Sequence, residues 1–123
     1  MKKWYSEDWT FEIEVVGYTR GSRAEGYCRN GEEIGDVYRC GYGCPVNQAG
    51  EGLCSKTMLL LFPMLEAVRS GGSLENLGGE SRLVRTFTCP DGCVRFRLTA
   101  RPNQPAGKTE KRAQGRAPRF PVI

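Results

Sequence analysis

Histidine is absent from the 123 residues. Without an imidazole there is no serine or cysteine nucleophile served by a histidine base, and no mixed Cys/His or His/carboxylate metal site. Thiol and carboxylate chemistry is what remains. Long apolar runs are missing too: the longest, Met58 to Met64, falls far short of the roughly 20 residues that cross a bilayer. A secretory leader would need an apolar stretch of about 7–15 residues after Lys2-Lys3, and Glu7 and Asp8 interrupt the run. The expected compartment is the cytoplasm, with no membrane association.

The body of the chain also lacks a charge excess. Residues 1–100 carry 12 Lys+Arg against 13 Asp+Glu, whereas residues 101–123 carry 6 against 1, so the formal net charge of +4 belongs to the tail. No basic stripe interleaved with aromatics runs through the body, and a nucleic-acid reading would rest on the dispersed charges of the tail alone. The chain divides into one expected domain, residues 1–100, and a basic, Pro-containing tail, residues 101–123. That tail holds four prolines and few large apolar side chains before Phe120-Pro121-Val122-Ile123, a composition that favours flexibility. Its short apolar end suits docking on another protein; a tail without a role and a homo-oligomer stay open beside that.

Six cysteines are present, at 28, 40, 44, 54, 89 and 93, about 5% of the chain and below the roughly 8–10% of a disulfide scaffold. In a reducing compartment they read first as metal ligands or reactive thiols. Three disulfides, and small buried hydrophobes in the cases of Cys28 and Cys54, are the alternatives. Cys40 and Cys44 bracket Gly-Tyr-Gly, and Cys89 and Cys93 bracket Pro-Asp-Gly. Two such brackets can supply four thiolates, although zinc ribbons favour one residue fewer between ligands. Cys54 precedes a helix, where the dipole and free N–H groups lower a thiol pKa. Glu32, Glu33, Asp36, Glu51 and Asp91 lie near the cysteine loops, but acids in turns are usually solvated, and none is singled out as a general base.

Periodicity sets the expected fold. Thr10 to Val15 alternates apolar and polar residues, predicting a strand over about residues 10–18, and Ile34 to Cys40 predicts a second. Between Ser55 and Arg69 the apolar positions Met58, Leu61, Leu65 and Val68 recur at three and four, predicting the one long helix, stopped by Arg69 and Gly71-Gly72. Pro63 should bend it or split off its first turn, and Leu59, Leu60 and Phe62 suggest that both of its sides are covered. Ser81–Thr88 and Cys93–Ala100 flank Pro90-Asp91-Gly92 as an antiparallel hairpin, with Cys89 facing Cys93. The expectation is an α+β domain of order ββαββ, a mostly antiparallel sheet of about four strands packed with one main helix.

These residues also resemble a family of small prokaryotic cysteine-containing proteins that has no established activity. The resemblance spans residues 28–100. It is carried by Cys28 ahead of Ile34-Gly35-Asp36, by Glu51-Gly52-Leu53-Cys54 opening a helix that includes Phe62-Pro63, by Gly71-Gly72, and by Cys89-Pro90-Asp91-Gly92 before Val94-Arg95-Phe96. Cys28, Cys54 and Cys89 are the family-like cysteines; Cys40, Cys44 and Cys93 are additions. The resemblance implies this segmentation and no reaction. Cysteines at element ends that a fold can gather favour a thiolate-ligated iron–sulfur cluster or zinc, in an accessory or electron-transfer subunit. A thiol redox enzyme using Cys54, and an interaction domain without chemistry, are the competing expectations.

Overall fold

A computed structural model describes residues 7–19, 28 and 30–103. Its elements run β1 (Trp9–Tyr18), β2 (Val37–Cys40), α1 (Ser55–Arg69), a 3₁₀ turn (Leu74–Leu77), β3 (Val84–Thr88) and β4 (Val94–Pro102). The four strands form one antiparallel sheet in the order β2-β1-β4-β3, so the fold is the α+β arrangement that the periodicity predicts. The tail from residue 104 onward, with its expected docking end, lies outside the described residues.

Alternation decides which face of each strand is buried. Phe11, Ile13 and Val15 of β1 point inward, as do Val94, Phe96, Leu98 and Ala100 of β4, Tyr38 of β2 and Phe87 of β3. Leu61, Met64, Leu65 and Val68 of α1 cover that face and complete a single core with Leu53 and Leu74. Phe87 stacks on Phe96 with ring centroids 5.6 Å apart. The ring and aliphatic contacts across β3 and β4 fix the hairpin register, since a one-residue slip would turn these side chains to water.

Several expectations need correction. The second strand begins at Val37 rather than Ile34, because Gly35 takes φ +98° and Asp36 accepts a hydrogen bond from the Glu33 N–H through Oδ2, closing a turn there. The β3 strand likewise starts at Val84. Pro63 does not split α1, which is continuous from Ser55 to Arg69. Proline removes only its own N–H bond to residue 59; both residues are exposed, so the freed carbonyl faces water. Nor is the helix covered on both sides: Leu59 is 76% exposed and Phe62 55%, with Leu60 beside them.

At its C-terminal end α1 is anchored to the sheet by Arg69. Its Nε donates to Glu7, its Nη2 donates to the Gly41 carbonyl, and its guanidinium lies between the rings of Phe11 and Tyr42, 5.1 and 4.9 Å from their centroids. The helix N-terminus is anchored by Lys56, whose Nζ stands 3.0 Å from Oδ1 of Asp91 in the β3–β4 turn. That second anchor places the start of α1 against the hairpin tip.

Candidate functional site

A cleft of about 240 Å³ opens where the N-terminus of α1, the β3–β4 turn and the residues Cys28, Asn30 and Glu32 meet. Cys28, Cys54, Cys89 and Cys93 all line it. Each comes from a chain segment with its own reason to be there. Cys54 is the N-cap residue of α1, without a side-chain capping bond, and its carbonyl accepts the Met58 N–H. Cys28 lies between β1 and β2 in the chain, and its carbonyl accepts the Gly31 N–H.

Cys89 opens a turn in which Gly92, at φ +79°, donates its N–H to the Cys89 carbonyl. The left-handed value at the third loop position is what Gly supplies most easily. The expected cross-strand pairing of Cys89 with Cys93 is off by one: the Cys89 N–H goes to the Val94 carbonyl, while the Cys93 carbonyl accepts the Thr19 N–H from the end of β1. Cys93 is thereby drawn into the core edge and is buried, rather than sitting in an open turn. The two side chains still meet, with Sγ atoms 3.8 Å apart.

Their environments differ. Burial alone would raise the Cys89 thiol, but the backbone N–H groups of Cys93, Val94 and Asp91 and the Cys93 thiol point at its sulfur and hold its pKa below the ordinary range. Cys93 goes the other way: burial first, then the Cys89 sulfur and the charges of Cys28 and Asp91, push it up to about 11. One thiol of the pair is prepared to ionise and the other to keep its proton.

Glu32 is set apart by the structure from the other acids near the cysteine loops, among which the sequence did not single it out. It lines the same cleft and is only 1% exposed. Its Oε1 accepts from the Tyr38 hydroxyl at 2.6 Å, its Oε2 from Asn30 Nδ2 at 2.6 Å, and its carbonyl from the Tyr18 hydroxyl at 2.8 Å. Burial, followed by the Glu32 carboxylate, pushes the Tyr38 phenol well above its usual range. No local pattern marks this acid apart from Glu33 beside it. The signal is tertiary, two tyrosines brought over it by neighbouring strands.

Cys40 and Cys44 are not among the residues lining the cleft. Cys44 is exposed, and Cys40 sits half-buried at the end of β2. Burial pushes the Cys40 thiol up to about 11, with Cys44 and Glu7 adding to the effect and Arg69 opposing it. The structure therefore gathers four of the six cysteines and leaves this bracket apart.

Thiols fit a soft metal by chemistry, and the geometry fits in part. Any two thiolate ligands of a tetrahedral centre with metal–sulfur bonds of about 2.3 Å have sulfurs about 3.8 Å apart, the separation of Cys89 and Cys93. Among the described residues no group of three or more Cys, Asp and Glu is already drawn together around an ion position, so Cys28 and Cys54 would have to close on that pair. No family model, curated protein or solved structure matches the chain.

Proposed function

We propose that the cleft is a thiolate centre for zinc or an iron–sulfur cluster, with Cys89 and Cys93 as the anchoring pair and Cys28 and Cys54 as the ligands that complete it. The observation that supports this reading most is the convergence of four cysteines, from three separate segments, on one cleft, two of them already at the spacing of two ligands of one tetrahedral metal. A cluster would give the chain the role of a small electron-transfer or accessory subunit in the cytoplasm; zinc would make the centre structural. The test is a Cys→Ser series purified without oxygen. Cys28, Cys54, Cys89 and Cys93 variants are expected to lose bound metal, and a Cys40→Ser/Cys44→Ser double variant to retain it, each folded by circular dichroism. Undiminished metal in Cys89→Ser would overturn the assignment.

The contact between Cys89 and Cys93 also favours a second reading, thiol–disulfide exchange. In it the Cys89 thiolate attacks a partner disulfide, one partner thiol leaves, and the Cys93 sulfur resolves the mixed disulfide with loss of its proton. Two electrons pass to the partner, which ends as two thiols. This moves the reactive role from Cys54 to the hairpin pair, with Cys54 left as a neighbour in the cleft. A Cys89–Cys93 disulfide formed in glutathione buffers by protein that carries no metal supports this reading over the first.

A further inference from the structure

The N-terminus of α1 faces the cleft with its polar groups unspent. In a helix the first N–H groups have no intrahelical acceptor, and the first internal bond here is that of the Met58 N–H to the Cys54 carbonyl. Cys54 offers no capping bond, and the first turn has no acidic residue to answer the helix dipole. A second observation is independent of the backbone. Thr57 lines the cleft, is only 1% exposed, and its hydroxyl Oγ1 has no hydrogen-bond partner. Buried hydroxyls rarely go unpaired, because leaving one so forfeits its hydration without a return.

Formal charge on the lining is mixed, one ammonium against two carboxylates, so the free helix N–H groups and the Thr57 hydroxyl are what single this spot out. Lys56 lines the cleft one residue before Thr57. Of the acids lining the cleft, Asp91 is held by the Lys56 ammonium, and Glu32 is tied to Tyr38 and Asn30. We propose that this end of α1 binds a small oxyanion of the phosphate type, held by the N–H groups of Ser55, Lys56 and Thr57, the Thr57 hydroxyl and the Lys56 ammonium. Helix N-termini bind such anions because free N–H groups and the dipole act together. The cleft of about 240 Å³ has room for the anion and several waters at about 30 Å³ each. The site shares its cleft with the four cysteines and uses none of their sulfurs.

The experiment is calorimetric and ³¹P NMR titration of the full chain with inorganic phosphate and with methyl phosphate, in chloride buffer. Saturable one-to-one binding is expected. Binding of both ligands assigns the site to phosphomonoesters as well as the free ion, and binding of phosphate alone assigns it to the free ion. Thr57→Val removes the hydroxyl at equal volume and should weaken binding at least about tenfold, the effect of one lost hydrogen bond to a charged acceptor. The same variant should melt no lower than wild type, because it also removes the unpaired buried group. Thr57→Ser should keep binding, and its metal content should match that of wild type. No saturation with either ligand, wild-type affinity in Thr57→Val, or a lowered melting temperature in that variant would each overturn the proposal.

Discussion

Cys89 and Cys93 carry the same chemical group four residues apart, and their surroundings move the two thiols in opposite directions. The three N–H groups around the Cys89 sulfur come from a turn whose shape Pro90-Asp91-Gly92 dictates. The burial of Cys93 goes with a tertiary bond, that of its carbonyl with the N–H of Thr19, the residue after β1. In metal-free protein at pH 8, iodoacetamide should therefore modify Cys89 well before Cys93 or Cys40. A thiol at about 11 is roughly one-thousandth ionised at that pH, at tenfold per unit. Peptide mass mapping over time gives the order. What the sequence showed at this scale was the placement of cysteines at turns and at a helix start. Glu32 and Thr57 were not legible, because what makes each of them unusual is burial by segments distant in the chain.

Along α1 the limit of legibility has a definite cause. Met58 to Met64 is apolar throughout, so period 3.6 cannot show which side faces the sheet, and a helix buried all round and one half-exposed read alike. The structure buries Leu61, Met64, Leu65 and Val68 and leaves Leu59, Leu60 and Phe62 in water. Leu61→Ala or Leu65→Ala should cost about 2–5 kcal/mol in urea unfolding, as core truncations do. Leu59→Lys and Phe62→Lys should change stability by no more than about 0.5 kcal/mol. The helix end was plainer. Arg69 and Gly71-Gly72 stop α1 where expected, and Gly72 is required by space as well: a Cβ there would stand 2.9 Å from the Ala67 carbonyl oxygen. Strands were easier still, because a period of two tolerates no ambiguity about faces. The exceptions, the late starts of β2 and β3, lie where short-range turn bonds outcompete the ladder.

Across the whole molecule, Glu12 at the centre of the sheet clasps Arg39 of β2 and Arg101 of β4. Partial burial raises its pKa, but hydrogen bonds and charge from the two arginines outweigh that and hold it below its ordinary 4.5. A depressed carboxylate contributes stability that is present above its unfolded pKa and is lost as pH falls through its folded value. Part of the acid loss of stability below about pH 4.5 should therefore disappear in Glu12→Gln. The effect should stay below about 1 kcal/mol because both arginines are exposed. Urea midpoints between pH 2.5 and 7 measure it. The α+β class and the ββαββ order of elements along the chain were readable because composition allows one domain and periodicity allows one long helix. The gathering of Cys28, Cys54, Cys89 and Cys93 was only partly readable, since the spacing favoured the Cys40/Cys44 bracket that the fold places elsewhere. Whether those four thiolates hold a metal is decided most directly by the ratio of zinc, iron and acid-labile sulfide to protein in wild-type chain purified without oxygen. A thiolate centre predicts one zinc, or stoichiometric iron with sulfide, per chain; metal at trace level in folded protein with six titratable thiols would contradict it.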